Sequence, residues 1–92
     1  MSEPALQQPT MAHIEALEAF IKARVTPLHR KAAYKSEELR AFQALLDVVT
    51  VTIGSAEAAT KQGEYLGMQR LSLAVIARQW SDHPDFQAAW NR

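Results

Sequence analysis

The chain has 92 residues, enough for one domain with a modest core, and its 48% hydrophobic and 22% charged content is that of an ordinary folded protein. Ten basic residues balance ten acidic ones, so the overall charge does not steer the chain toward nucleic acid or anionic lipid. The absence of cysteine excludes disulfides, thiolate nucleophiles and cysteine-ligated metal sites.

The first ten residues contain two prolines and two glutamines and offer little to bury, so residues 1–10 are predicted to form a flexible tail. They lack the positive flank and apolar run of a signal peptide. No uncharged apolar stretch approaches the ~20 residues that span a bilayer. We therefore expect no membrane contact, a cytoplasmic location, and a single helical domain over residues 11–92.

A first helix is predicted from about Thr10, which could cap it. Pro27 removes a backbone donor, so this helix is expected either to kink there or to end, with Thr26 capping a new turn. The apolar positions that recur at helical spacing are Ile14, Leu17, Ile21, Val25 and Leu28.

The second helix has the strongest periodicity in the chain. Ser36 is a suitable N-cap, with Glu37 and Glu38 at the positive end of the helix dipole. The helix is predicted to run to about Ile53 and to end at Gly54. The β-branched residues within 48–53 would also suit a short strand, although helix is favoured. The apolar stripe is Leu39, Phe42, Leu46, Val49 and Ile53.

A third helix is predicted from about Glu64 to Gln79. Gly63 and Gly67 could permit a close approach of another backbone, but an incidental spacing is favoured. After a turn, Pro84 is expected to open a short helical turn, with the rings of Phe86 and Trp90 on one face against the core. The broad apolar face of the third helix comprises Tyr65, Met68, Leu71, Leu73, Val75, Ile76 and Trp80.

These elements predict an all-α fold, a small three-helix assembly. The first two helices, joined by the short connection 32–35, are expected to pack as an antiparallel hairpin. The third helix and the C-terminal helical turn would cover their shared groove.

Two segments resemble a family of small uncharacterised proteins of actinobacteria and actinophages. The C-terminal segment, with Leu-Ser-Leu-Ala at 71–74, Trp-Ser-Asp-His-Pro-Asp-Phe at 80–86 and Trp90, is similar to the family's recurrent ending. Residues 17–24 are similar to its opening helix. Many members of that family carry a cysteine-containing insert before the terminal helix, which this chain lacks. The resemblance implies a bacterial or phage source and a helical fold, and it implies no reaction.

No residue pattern predicts catalysis, so the chain is not expected to be an enzyme. Asp82, His83 and Asp85 could bind a metal or relay protons, but a structural turn is favoured because the residue before a proline is held extended. His13 and His29 are too far apart to share a metal on one helix. The serines at 36, 55, 72 and 81 lack a nucleophile-elbow context. We expect no catalytic, metal or cofactor site.

A basic stretch between residues 22 and 35 contains no acid and could contact phosphates. Glu37 and Glu38 open the following helix and would repel a nucleic-acid backbone there. A nucleic-acid-binding accessory protein is therefore the alternative interpretation, using Lys22, Arg24, Arg30, Lys31 and Lys35.

The favoured interpretation is a non-enzymatic protein-interaction module. Three short helices have limited inner surface, so some of the chain's apolar and aromatic side chains are expected to stay exposed and to form an interface. The alternative is that the aromatic side chains only complete a monomeric core. The module is expected to form a homo-oligomer, to bind a host or phage protein, or to do both, without a cofactor. The predicted interface residues are Leu46, Val49, Ile53 and Trp90, with Lys31, Lys35 and Arg78 at the rim.

Overall fold

The computed structural model describes residues 8–92, so the first seven residues of the predicted tail lie outside the described part of the chain. Three α-helices, α1 (Met11–Lys31), α2 (Glu37–Lys61) and α3 (Gly67–Ala77), are followed by 3-10 turns at Arg78–Trp80 and Ala88–Asn91. Residues 8–92 contain no strand. The predicted all-α, three-helix assembly is confirmed.

Helix α1 begins after the predicted cap residue, Thr10, and continues past Pro27. The backbone amide of Thr10 donates a hydrogen bond to Nδ1 of His13 at 3.0 Å. Pro27 lies inside the helix, which continues to Lys31. The helix therefore does not end near Pro27 and restart with Thr26 as a new cap. Both Pro27 and Ala23, whose carbonyl loses its usual donor there, are exposed, so water can replace the missing hydrogen bond.

Helix α2 begins where the sequence predicts. The backbone amide of Leu39 donates to Oγ of Ser36 at 3.1 Å, which confirms the N-cap. Residues 48–53 are helical, as favoured. The hydroxyls of Thr50 and Thr52 donate to the carbonyl oxygens four residues earlier, at 3.0 and 2.8 Å, so these side chains find partners without leaving the helix.

The predicted end of α2 at Gly54 is wrong, because the helix continues to Lys61. Gly54 costs about 1 kcal/mol inside a helix, and burial of the nearby Ala56 and Ala59 offsets that cost. Gly63, just after the C-cap Gln62, terminates the helix instead, because its φ of 71° is readily adopted only by glycine. The amides of Gly63 and Glu64 donate to the carbonyls of Thr60 and Ala59 at 3.1 and 2.8 Å, the paired bonds of a Schellman cap.

Helix α3 begins three residues later than predicted, at Gly67 rather than Glu64. The amide of Glu64 is used in the cap of α2, and the side chain of Leu66 is buried, so the chain is anchored at both points before α3 starts. The helical geometry tightens to a 3-10 turn after Ala77. Gly63 and Gly67 therefore end one helix and begin the next.

The C-terminal segment folds back on the core, as predicted, but its helical turn begins at Ala88 and not at Pro84. The amide of Phe86 donates to the carbonyl of His83 at 3.0 Å, which closes a separate turn around the proline. The rings of Phe86 and Trp90 lie 5.3 Å apart between centroids, in an edge-to-face arrangement.

The three helices share one hydrophobic core. Helix α1 contributes the most to it and packs against both α2 and α3. Leu28, the last position of the predicted stripe of α1, is 41% exposed and lies outside this core. The buried hydrophobic residues are Ile14, Leu17, Phe20, Ile21, Val25, Val49, Ala56, Ala59, Leu66, Leu73, Ala74, Ala77 and Trp90.

Helix α2 is long enough and apolar enough to cross a membrane, judged by length and composition alone. It carries Asp47 and Glu57, and it contributes Val49, Ala56 and Ala59 to the core shared with the other helices. Only 11% of its most apolar 18-residue window is buried in the chain. Much of its apolar surface therefore lies outside the core.

Candidate protein-interaction surface

Helix α2 has a second, solvent-exposed apolar face, which we call the outer face; towards its C-terminal end, Nε2 of Gln69 in α3 donates a hydrogen bond to Oγ of Ser55. Its six positions are spaced alternately three and four residues apart, and every one is exposed. At 3.6 residues per turn this spacing places them along one line over about 25 Å. The outer face consists of Ala41, Ala44, Val48, Val51, Ser55 and Ala58.

The middle of the outer face is the most apolar part. Val48 is 50% exposed and Val51 is 71% exposed, and the four positions around them carry only small side chains. The charged residues Arg40 and Asp47 lie at its edge, while Glu37 and Lys61 lie at the two ends of the helix. The uncharged positions thus extend over about five turns of α2.

A shallow groove of about 480 Å³ adjoins the N-terminal half of the outer face, where the end of α1 meets the start of α2. A chain of polar contacts crosses it: His29 Nε2 donates to Gln43 Oε1, and Gln43 Nε2 donates to Asp47 Oδ1, both at 2.9 Å. The groove is otherwise lined by Leu39, Arg40 and Ala44. These six lining residues include no hydroxyl, thiol or primary amine.

The predicted apolar interface residues lie on the inner face of α2 and in the core. Val49 is fully buried and Trp90 is 5% exposed, so both are covered by this chain itself. Leu46 and Ile53 are partly buried and pack against the same core. The strongest apolar stripe of the sequence, on α2, therefore packs within the core of the single chain.

The predicted rim residues lie on different elements of the chain. Arg78 donates from Nε to the carbonyl oxygen of Trp90 at 2.6 Å and so holds the C-terminal turn. Lys31 and Lys35 are exposed at the turn between α1 and α2, where Lys35 has a φ of 61° and lies over the ring of Tyr34. These two lysines are available to solvent, whereas Arg78 has a structural contact.

Two of the five cations in the basic stretch have polar side-chain contacts within the chain. Lys22 pairs with Glu18 at 2.8 Å, and Arg24 contacts His83 and the ring of Phe20. The remaining three cations of the stretch, Arg30, Lys31 and Lys35, are exposed.

His83 has a packing role between α1 and the C-terminal segment. Its ring lies edge-on to Phe20, with 5.6 Å between centroids, and its Nδ1 accepts a hydrogen bond from the amide of Asp85 at 3.0 Å. Its other ring nitrogen contacts the guanidinium of Arg24. Asp82 and Asp85 are exposed. Over residues 8–92 no group of three or more His, Cys, Asp or Glu side chains is arranged to hold a metal ion.

Three of the four candidate serines have structural contacts. Ser36 caps α2, Ser55 accepts a hydrogen bond from Gln69 at 3.1 Å, and Ser72 donates to the carbonyl of Met68. Ser81 is exposed in the turn after Trp80. Nothing in these contacts activates a hydroxyl as a nucleophile.

Sequence reasoning missed the outer face, although its signal is present. The positions 41, 44, 48, 51, 55 and 58 repeat with the same period as the inner stripe, displaced around the helix. Alanine and serine carry little hydrophobicity, so the larger side chains at 42, 46 and 49 dominate the pattern. Only the exposure of Val48 and Val51 separates the two faces.

Comparison of the chain with family models, curated proteins and solved structures finds no match. The resemblance to actinobacterial and actinophage proteins stays a prediction.

Proposed function

We propose that this protein is a small, non-enzymatic helical module that binds another protein through the outer face of α2. The observation that carries the proposal is the exposure of Val48 and Val51 at the centre of an uncharged face. Contiguous apolar surface on small proteins commonly marks an interaction site. The partner is a second copy of the chain, another protein of the cell, or a phage protein, and the module acts in the cytoplasm.

The proposed binding follows from burial of apolar surface. Removing apolar area from water gains roughly 25 cal/mol per Å², and the alanines beside the two valines let a partner helix come close enough to exclude water. Arg40 and Asp47, at the edge of the face, would remain solvated and set the register of the partner. The inner face of α2 is already covered by the core, whereas Val48 and Val51 on the outer face remain accessible to a partner.

The test is site-specific photo-crosslinking in the cells that make the protein. A photoreactive residue at Val51 should give a covalent protein adduct, because a bound partner covers that side chain. The same residue at Glu57, exposed on another side of α2, is the matched control and should give little adduct. Equal yields at the two positions, or no adduct at either, would show that the outer face has no protein partner.

A further inference from the structure

We infer that the partner of the outer face is a second copy of this chain, packed against it with the two α2 helices antiparallel. The two helices would be related by a two-fold axis that lies level with the midpoint between Val48 and Val51. This inference rests on the proposed function and adds to it the identity and orientation of the partner.

The order of side chains along the outer face supports the two-fold axis. From either end the face reads two small residues, two valines and two small residues, and the spacing is the same in both directions. Antiparallel pairing therefore sets Val48 against Val51 of the partner subunit, and small residues against small residues. In an isologous interface each patch must complement itself, and this face does so.

Charges at the two ends of α2 favour the same orientation. Glu37 and Glu38 lie at the N-terminal end, where Arg40 pairs with Glu37 at 3.1 Å, and Lys61 lies in the last turn. In the antiparallel pair Lys61 of the partner subunit comes level with Glu37 and Glu38, and the helix dipoles oppose each other. A parallel pair would instead bring together the acidic ends of both helices.

The size of the surface predicts a reversible dimer. Helix α2 has 25 residues and is about 37 Å long, and a helix presents a strip roughly 10 Å wide. Each copy would bury roughly 400 Å², so the total lies below the ~1,200 Å² of standard stable interfaces. The association should therefore be measured at protein concentrations up to several hundred micromolar.

Cysteine crosslinking tests the orientation, because the natural chain has no cysteine. Val51→Cys lies beside the two-fold axis and should form a disulfide-linked dimer. Ala41→Cys and Ala58→Cys should each remain unlinked alone, since two copies of either residue lie about 25 Å apart in the antiparallel pair. A mixture of the two variants, one enlarged by a tag, should give the mixed disulfide. Rapid crosslinking of Ala41→Cys alone would overturn the antiparallel arrangement.

Sedimentation equilibrium tests, without crosslinking, whether the partner is a second copy of the chain. The 10.3 kDa chain should approach twice its mass as concentration rises. Val51→Glu should raise the dissociation constant at least tenfold, because the axis brings two new charges close together. Thr50→Glu, an adjacent exposed position off the outer face, is the matched control and should dimerise like the natural chain. Helicity by circular dichroism should be the same for both variants.

The failures of the two proposals are distinguishable. A natural chain that stays monomeric, with Val51→Cys unlinked, overturns the second copy. In that case a photo-crosslink from Val51 to a different protein preserves the proposed function, and the absence of any adduct overturns both. If the monomeric natural protein floats with phosphatidylcholine vesicles and Val51→Glu does not, the outer face binds lipid. That result would also overturn both proposals.

Discussion

The indole ring of Trp90 lies 5.0 Å from the ring of Phe20 between centroids, which joins the C-terminal turn to the middle of α1. Phe20 also meets Phe86 and His83 edge-on, at 6.0 and 5.6 Å. The last residues of the chain thus complete the core.

Trp90→Ala should be strongly destabilising. The side chain is 95% buried, and its loss leaves a large cavity against Phe20 and Phe86, so we expect a decrease of about 3 kcal/mol or more in the free energy of unfolding. Urea unfolding followed by far-UV circular dichroism measures it. Asn91→Ala, at the exposed next position, should change stability by less than about 0.5 kcal/mol. A similar effect of both substitutions would mean that Trp90 is not part of the core.

Two valines two residues apart should respond differently to truncation. Val49 is fully buried and Val51 is 71% exposed. Val49→Ala removes two buried methyl groups and should cost about 1 to 2.5 kcal/mol of unfolding free energy. Val51→Ala should be neutral or slightly stabilising in dilute protein, because alanine is the better helix former. Urea unfolding of both variants at low micromolar concentration makes the comparison, and the reverse order would contradict the assignment of inner and outer faces.

The glycine inside α2 and the glycine just after it should respond to alanine with opposite signs. Gly54 lies inside the helix, and a Cβ there meets nothing within 4 Å, so Gly54→Ala should stabilise the protein by up to about 1 kcal/mol. Gly63 has a φ of 71°, so Gly63→Ala should destabilise it by about 1 kcal/mol. Thermal unfolding measures both. Destabilisation by Gly54→Ala would indicate that α2 is interrupted there.

Removing the N-cap of α2 should cost about 1 kcal/mol. Ser36→Ala leaves the backbone amide of Leu39 without the hydroxyl oxygen that it now contacts at 3.1 Å. Ser36→Asp should restore the stability, since a carboxylate accepts the same hydrogen bond and favours the positive end of the helix dipole. Urea unfolding of the pair is the measurement. An effect of Ser36→Ala that Ser36→Asp does not reverse would point to a role other than capping.

Local signals that depend on a few neighbouring residues were readable from the chain. Ser36 before two glutamates marked the start of α2, and the spacing of Phe86 and Trp90 marked a shared face. Gly54 misled the prediction, because a glycine inside a helix and a glycine after a helix look alike in one sequence. The difference lies in Ala56 and Ala59, whose burial against the other helices carries α2 past Gly54.

The sequence by itself determined the helical class, the cap at Ser36 and the inner stripes of α1 and α2, because hydrogen bonding and helical periodicity act over a few residues. Only the tertiary structure decided which apolar face remained uncovered. Packing among α1, α3 and the C-terminal turn buried Val49 and Trp90 and left Val48 and Val51 in water, and burial depends on residues far apart in the chain.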